Sequence, residues 1–194
     1  MQDYPTWLAS TLASDATNGQ GVLPAWIRSL RPDSRVIGPA FVALMSLDDN
    51  LVIREVLASP PVPGSVLIVG GGSESRTATI GGLMALEMQN AGITALITDG
   101  LVRDAGEIRE LRFDVWCRGL TPIAPSKNGP ARVGGSVSLG GIHIHDGDLI
   151  IGDEDGVVVW PREQIDELLA RAEAKYQQDN ERLVRLRVHR DPGI

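Results

Sequence analysis

The chain has 194 residues, 43% of them hydrophobic, and a formal net charge of −7. The single cysteine, Cys117, excludes an internal disulfide framework and zinc sites built from two or more cysteines. The acidic balance without a basic block argues against nucleic acid as a partner, and no hydrophobic run approaches the ~20 residues that cross a bilayer. We therefore expect a soluble, cytoplasmic protein with no membrane partner.

The N-terminal third predicts alternating helices and strands. We expect two short helices within about residues 3–31, on either side of a turn at 18–21. A β-rich segment follows over 35–47, interrupted at Gly38–Pro39. A helix over 48–59 then ends at two prolines, which cannot continue it.

The most regular pattern lies in the middle of the chain. Residues 65–69 form a buried-strand pattern that breaks at Gly70–Gly72. Residues 77–91 predict a helix, and residues 93–98 predict a second buried strand. This β-loop-α-β order predicts two parallel strands.

The remaining third predicts short elements and a closing helix. A short helix is expected over 103–112, a strand over 114–118 and a proline-rich loop over 119–131. From Arg132 the alternating pattern predicts β-hairpins, with turns at Gly140–Gly141, Asp146–Gly147 and Asp155–Gly156. A C-terminal helix is expected over about 161–187, and the final residues, which include His189, are expected to fray and be solvated.

The glycine run Gly70–Gly72 follows a strand and precedes the predicted helix over 77–91. Such a position suits an anion site at a helix N-terminus. The spacing is neither that of a dinucleotide fingerprint nor that of a P-loop, although Asp99 stands where a ribose-binding acid would. A tight turn, a dinucleotide site and a site for a small carboxylate or metal-chelating substrate all remain open.

Two histidines and one cysteine are weaker candidates. His143 and His145 are two residues apart on a predicted strand and share a face, with Asp146 and Asp148 nearby. They could hold a metal ion, although an exposed hairpin face is the commoner outcome. Cys117 lies in a predicted strand and is expected to be a buried, inert thiol.

Acidic and basic side chains cluster just after the second parallel strand. Asp104 and Glu107 are three residues apart on a short helix and share a face, and carboxylate oxygens suit Mg²⁺ or Mn²⁺. The adjacent Arg103 could hold a carboxylate or an enolate. The alternative is a helix N-terminus whose acids complement the helix dipole. The chain has only two lysines, Lys127 and Lys175, and neither lies in a predicted buried pocket, so a Schiff-base mechanism is disfavoured.

Three blocks of sequence resemble the RraA-like family. They read GGLMALEMQNAGITALITDGLVRDAGEI, WCRGLTP and HDGDLIIGDEDGVVVWP, and the resemblance runs from about Pro63 to Arg182. In the first block, Gly82 precedes the Arg103–Asp104 pair with twenty residues between, as in the family pattern. The family includes class II pyruvate aldolases acting on 4-hydroxy-4-methyl-2-oxoglutarate and 4-carboxy-4-hydroxy-2-oxoadipate, and the regulator of ribonuclease E activity.

The resemblance implies an architecture. It is an α/β fold, a three-layered β/β/α sandwich of the swivelling-domain type, with a C-terminal helix, and here it would form a single domain over residues 1–194. Such proteins usually form trimers with sites between subunits. We therefore expect a homotrimer or a multiple of three.

The resemblance also implies a site. Asp104 would bind Mg²⁺ or Mn²⁺, with Glu107 and Asp179 of an adjacent subunit acting through water. Arg103 would be the catalytic residue and would contact the 2-oxo group. The backbone amides of three consecutive residues would bind the substrate carboxylate: Gly82, Leu83 and Met84. Gly82 stands where some family members carry an acid.

The expected activity is that of a divalent-metal-dependent lyase. It would cleave 4-hydroxy-2-oxo acids to pyruvate through an enolate stabilised by the metal and Arg103, and it would decarboxylate oxaloacetate through the same enolate. The alternative is a non-catalytic regulator that binds a ribonuclease or another protein.

Overall fold

The computed structural model describes residues 4–188. The terminal residues 1–3 and 189–194, including His189, lie outside the described residues. Within residues 4–188 the helices are α1 (Ser10–Ala16), α2 (Leu51–Ala58), α3 (Gly82–Asn90), α4 (Ala105–Glu110) and α5 (Ile165–Val188). The strands of the same part of the chain are β1 (Arg28–Ser29), β2 (Val36–Leu44), β3 (Val66–Gly70), β4 (Ala95–Thr98), β5 (Leu101–Val102), β6 (Asp114–Cys117), β7 (Gly119–Leu120), β8 (Arg132–Val133), β9 (Ser136–Leu139), β10 (Ile142–His145), β11 (Leu149–Gly152) and β12 (Val157–Trp160).

One mixed sheet organises the molecule, with the strand order β1-β6-β4-β3-β2-β11-β12 and β8 also paired to β2. The strands β2, β3, β4 and β6 run parallel to one another, whereas β11 and β12 are antiparallel. The parallel pairing of β3 with β4 confirms the predicted β-loop-α-β unit. It also brings the carboxyl ends of both strands to one edge of the sheet.

The hydrophobic core has three parts, which define the layers. The first lies between the sheet and helices α2, α3 and α4. The second lies on the other face of the sheet, beneath the β9–β10 hairpin and around Trp116. The third joins α1 and α5 to β11 and β12 around Trp160. These layers confirm the predicted α/β sandwich and its C-terminal helix. No helix of the described part is long and apolar enough to span a membrane.

Strand β2 is continuous, so the predicted interruption at Gly38–Pro39 is wrong. Residues 36–39 pair with β11, and residues 40–44 pair with β3. A Cβ at Gly38 would lie 2.6 Å from the Gly64 carbonyl oxygen, so glycine permits this close approach. The strand therefore changes its partner at this point without breaking.

Two other predictions were wrong for the same reason, namely backbone pairing with distant strands. The second N-terminal helix does not form, because the Leu23 amide donates to the Val157 carbonyl and the Leu30 amide donates to the Val115 carbonyl. The Asp146–Gly147 turn does not close a hairpin, because β10 pairs with β9 while β11 pairs with β2 and β12.

Helix α3 begins at Gly82 rather than at residue 77. The amide of Ala78 donates to the Ile123 carbonyl (3.0 Å), and the amide of Thr79 donates to the Leu101 carbonyl (2.7 Å). These bonds hold the preceding residues in an extended conformation. Helix α3 therefore begins ten residues after the end of the glycine run at 70–72.

Candidate functional site

The start of α3 and the start of α4 lie side by side. The Arg103 amide donates to the Ile80 carbonyl (3.0 Å) and continues the pairing that Thr79 makes with Leu101. This pairing places the Arg103–Asp104 dipeptide against Gly81 and Gly82. Residues that are more than twenty positions apart in sequence thus lie side by side.

Asp104 is held in an uncommon backbone conformation. It precedes α4 with φ 54° and ψ 39°, in the left-handed region that aspartate enters more readily than most other side chains. Its Oδ2 accepts a hydrogen bond from the Gly82 amide at 3.2 Å and lies 3.6 Å from Arg103 Nε. Both side chains are 40% exposed. The carboxylate is therefore positioned by the N-terminus of α3 and remains open to a ligand.

Two adjacent glycines make room for the site. A Cβ at Gly81 would overlap Asp104 Oδ2 and lie 2.9 Å from Arg103 Nε. A Cβ at Gly82 would overlap Glu107 Oε2 and lie 2.9 Å from Glu107 Cβ. The side chains of the three predicted site residues, Arg103, Asp104 and Glu107, therefore pack directly against the backbone of these glycines. An acid at position 82, as in some family members, would need Glu107 to move.

The first turn of α3 offers free hydrogen-bond donors. Its N-cap, Gly81, has no side chain to cap it. The Gly82 amide donates to Asp104, whereas the Leu83 and Met84 amides donate to no acceptor among residues 4–188. Amides at a helix N-terminus attract anions. The structure thus leaves two of the three predicted carboxylate-binding amides available.

A cleft of about 710 Å³ opens beside these groups. Its walls include Arg103 and Asp104, residues along the length of α3, residues of α2 and the loop after Pro122. The residues that line it from α2, from the N-cap of α2 and from this loop are Asn50, Arg54, Leu57, Ala58, Ala124, Pro125 and Lys127. Clefts of this size commonly hold small metabolites.

Asp49 fastens the loop that carries Lys127. Its carboxylate accepts hydrogen bonds from Ser126 Oγ (2.8 Å) and from the amides of Asn128 (2.7 Å) and Gly129 (2.9 Å). Burial raises the pKa of Asp49, but these bonds and one from the Leu51 amide outweigh it and bring the pKa to about 2. The loop is therefore tied to the start of α2 by an ionised carboxylate.

The alternative metal site at the histidines is not formed. Among residues 4–188, no group of three or more His, Cys, Asp or Glu side chains could hold a metal ion. Asp146 accepts from the amides of Val42 and Gly135, and Asp148 accepts from those of His145 and Arg162. Both carboxylates are thus structural. A separate cleft of about 900 Å³ lies beside the histidines, but Arg103 and Asp104 do not line it.

The glycine run at 70–72 forms a tight turn, and the dinucleotide interpretation is wrong. Asp99 Oδ1 accepts a hydrogen bond from the Gly72 amide at 2.8 Å, and a Cβ at Gly72 would lie 2.6 Å from Gly100 Cα. Burial raises the pKa of Asp99. No helix begins at this run to bind a phosphate. Cys117 is buried, and burial raises its pKa to about 11, which fits an inert thiol.

Asp179 lies on α5. Its Oδ1 accepts a hydrogen bond from Lys175 Nζ at 2.7 Å, one turn earlier on the same helix. Its predicted role toward the site of an adjacent subunit stays a prediction.

Four residues that line the cleft were not predicted from the sequence to do so: Gly81, Asn50, Arg54 and Lys127. The doubled glycine at 81–82 was a local signal of close packing. The other three residues have no such local sequence signal, because only the folded structure brings them to the cleft.

Comparisons with known proteins identify the family of the chain. The model of the family described as RraA-like: Aldolase/RraA matches residues 10–159. A Halalkalibacterium halodurans protein named "Putative 4-hydroxy-4-methyl-2-oxoglutarate aldolase" is 32% identical over 175 residues, which cover 90% of this chain and 83% of that protein. A Halorhodospira halophila protein of the same name is 36% identical over 130 residues, covering 67% of this chain and 78% of that protein.

Solved structures show the same fold. The RNA-processing inhibitor RraA from Thermus thermophilis is similar with a TM-score of 0.71 and 28% identity, over 83% of this chain and 94% of that one. RraAS2 from Streptomyces coelicolor, described as an unusual member of the RNase ES inhibitor RraA protein family, gives a TM-score of 0.79 and 26% identity, over 93% of each chain.

Proposed function

The chain belongs to the RraA-like family, and we propose that within it this protein is a divalent-metal-dependent lyase, a class II aldolase. Its substrates would be 4-hydroxy-2-oxo acids such as 4-hydroxy-4-methyl-2-oxoglutarate, cleaved to pyruvate. The observation that carries the proposal is the convergence of Arg103, Asp104 and the two free amides of α3 on one cleft. The names of the relatives support the same reaction.

We propose Mg²⁺ or Mn²⁺ as the ion, held directly by one carboxylate, since no group of three or more His, Cys, Asp or Glu side chains converges here or elsewhere in residues 4–188. Asp104 would be the direct protein ligand, because one of its oxygens, Oδ1, accepts no hydrogen bond from the described residues. Mg²⁺ is commonly bound by one or two carboxylates and keeps several waters. Glu107 stands over Gly82, where it would orient such waters. When bound, the ion supplies Lewis-acid polarisation of the 2-oxo group.

The remaining groups bind and orient the substrate. The Leu83 and Met84 amides would hold the carboxylate next to the 2-oxo group, with the positive end of α3 behind them. The Arg103 guanidinium makes no side-chain hydrogen bond within residues 4–188, so its donors are available to the 2-oxo oxygen. That oxygen gains negative charge as the enolate forms. A fixed cation there stabilises the transition state.

The reaction balances without a covalent enzyme intermediate. A water molecule takes the proton of the 4-hydroxyl, and C4 becomes the carbonyl carbon of the departing product. The C3–C4 bond breaks, and its electron pair forms the enolate of pyruvate. Protonation at C3 gives pyruvate. Loss of carbon dioxide from oxaloacetate would form the same enolate, so we propose decarboxylation as a second activity.

Pyruvate release from the purified full-length chain tests this function. The substrates are 4-hydroxy-4-methyl-2-oxoglutarate, other 4-hydroxy-2-oxo acids and oxaloacetate, each with Mg²⁺. We expect pyruvate from at least one 4-hydroxy-2-oxo acid and from oxaloacetate. No pyruvate from any of them would reject the lyase.

The second candidate is a non-catalytic regulator of a ribonuclease or another protein. The similarity to the two RraA inhibitor structures favours it. Inhibition of a ribonuclease by the Arg103→Ala variant as well as by the wild type, together with no pyruvate release, would support the regulator instead.

We also propose a homotrimer or a multiple of three. The last two turns of α5 carry exposed hydrophobic side chains at Leu183, Val184 and Leu186. Packing within its own subunit stabilises such a helix end little. We therefore propose that a neighbouring subunit covers these hydrophobic side chains.

A further inference from the structure

The turn that follows β2 holds a second aspartate in the left-handed region. Asp48 has φ 54°, the same value as Asp104. Strand β2 runs parallel to β3 and β4, so its carboxyl end lies at the same edge of the sheet as theirs. A side chain persists in this sparsely populated conformation only where its surroundings hold it there. Asp48 is not among the described residues that line the cleft, so any part it plays in the site passes through other residues.

Asp48 joins three separate segments of the chain. Its Oδ1 accepts hydrogen bonds from the backbone amides of Arg76 (2.7 Å) and Thr77 (3.1 Å). Its own amide donates to Ser75 Oγ (3.0 Å), and Ser75 is buried. Its carbonyl accepts a hydrogen bond from the Ser126 amide (2.9 Å). One residue therefore ties the turn after β2 to two distant segments.

Residues 75–77 lead directly into the candidate site. The extended segment continues to Ile80, whose carbonyl accepts a hydrogen bond from the Arg103 amide at 3.0 Å. Helix α3 begins two residues later, at Gly82. Asp48 thus fixes the first residues of a segment whose last residues contact Arg103.

The Asp48 carboxylate is ionised at neutral pH. The hydrogen bond from the Arg76 amide, together with that from the Thr77 amide, outweighs desolvation and keeps the pKa of Asp48 below its usual value. Hydrogen bonds to an ionised acceptor are stronger than hydrogen bonds to a neutral one. The two bonds therefore hold residues 76 and 77 firmly, although the Asp48 side chain is 32% exposed.

We propose that Asp48 is a positioning residue: its bonds to the amides of residues 76 and 77 hold the Ile80–Arg103 contact in the geometry that binds a 2-oxo acid. The inference rests on the proposed function, which places the 2-oxo group at Arg103. A guanidinium that must meet one oxygen atom loses its effect when it is displaced even slightly. The alternative is that Asp48 only supplies the left-handed turn between β2 and α2.

Two substitutions of Asp48 separate these roles. Asp48→Gly keeps the left-handed conformation but removes the side-chain acceptor. Asp48→Asn also tolerates this conformation and retains an oxygen acceptor. Native-state amide exchange then reports the positioning directly. In Asp48→Gly, exchange at the Arg103 amide should accelerate on the order of tenfold more than exchange at the buried amides of β3, which report global unfolding. Asp48→Asn should retain most of the protection.

Pyruvate binding gives the functional readout. Calorimetry with Mg²⁺ and pyruvate should show an affinity on the order of tenfold weaker for Asp48→Gly than for the wild type, and close to the wild type for Asp48→Asn. The matched control is Asp153→Ala, which removes a carboxylate that accepts from the amides of Ser10 and Asp155, outside the cleft. This variant should change neither the relative exchange at Arg103 nor the affinity for pyruvate.

The outcomes separate the inference from the function. Wild-type exchange and affinity in Asp48→Gly would overturn the inference, because the left-handed turn alone would then suffice. Equal losses in Asp153→Ala would overturn it as well, because general destabilisation would then explain them. The exchange measurement needs no ligand. If the wild type bound no pyruvate, the proposed function would fall, whereas selectively faster exchange at Arg103 in Asp48→Gly would still support the positioning of Arg103 by Asp48.

Discussion

The Gly82 amide donates a hydrogen bond to Asp104 Oδ2 at 3.2 Å, across twenty-one intervening residues. The bond joins the N-terminus of α3 to the left-handed residue that precedes α4. It fixes one carboxylate oxygen and leaves the other open. This bond and the backbone bond from the Arg103 amide to the Ile80 carbonyl together set the proposed metal and carboxylate positions.

Arg103→Ala should lower kcat by on the order of 10²–10³, the loss typical of removing an oxyanion donor. Arg103→Lys should restore activity only in part, because an ammonium cannot reproduce the planar guanidinium. Steady-state kinetics of pyruvate release measure both. Arg109→Ala, which changes an exposed arginine of α4, is the matched control, and a near-normal kcat in Arg103→Ala would assign Arg103 to structure.

Substitution of Asp104 and substitution of Glu107 should have different effects on activity and on metal affinity. Asp104→Ala should abolish measurable activity at any metal concentration. Glu107→Ala should weaken apparent metal affinity by roughly 10–100-fold and be rescued by excess Mg²⁺, as expected of a residue that acts through water. Activity against Mg²⁺ concentration separates them, with Glu110→Ala as the control. Equal and fully rescuable defects would contradict the assignment.

Gly82→Ala should displace Glu107, since its Cβ would overlap Glu107 Oε2. We expect a loss of metal affinity similar to that of Glu107→Ala, and the double variant should be little worse than either single one. Gly106→Ala, where a Cβ meets nothing within 4 Å, should bind metal normally. Strictly additive losses in the double variant would show that the two residues act independently.

The pattern of buried strands and one glycine-bounded helix was enough to predict the parallel core, because β3 and β4 are mostly hydrophobic and buried throughout. The family motif indicated Arg103, Asp104 and Glu107. The start of α3 could not be predicted, because residues 78 and 79 form hydrogen bonds with distant segments that override their helical pattern. The position of Arg54 and Lys127 in the cleft could not be predicted either, because only the fold brings α2 and the Lys127 loop to the same cleft.

Asp49→Asn should destabilise the protein at neutral pH. Burial raises the pKa of Asp49, but its hydrogen bonds lower that pKa to about 2. This is below the pKa of ~3.9 that an aspartate has in an unfolded chain. The ionised carboxylate therefore stabilises the fold fully above about pH 4, and this contribution is lost as the pH falls toward 2. Urea unfolding at several pH values should show the gap between wild type and variant closing over that range.

The control for Asp49 is Asp155→Asn, a loop carboxylate that accepts no hydrogen bond from the described residues. Its unfolding midpoint should follow that of the wild type at every pH. A gap for Asp49→Asn that stays constant from pH 7 to pH 2 would show that its hydrogen bonds do not depend on ionisation.

Asp179→Ala should weaken metal binding without dissociating the oligomer, if Asp179 completes the water shell in an adjacent subunit. Calorimetry with Mg²⁺ and light scattering give the two readouts. Asp15→Ala removes the other carboxylate near Lys175, 3.8 Å from its Nζ, and should leave metal affinity unchanged. A fully active monomer at assay concentration would reject both the trimer and the role of Asp179.

Metal dependence of carbon–carbon cleavage tests the central claim most directly. Pyruvate release from 4-hydroxy-4-methyl-2-oxoglutarate is followed with Mg²⁺, after addition of excess chelator, and after Mg²⁺ is restored, for the wild type and for Asp104→Asn. The account predicts release by the wild type that chelator abolishes and Mg²⁺ restores, and no release by the variant. Full activity of the wild type in excess chelator, or of Asp104→Asn with Mg²⁺, would contradict it.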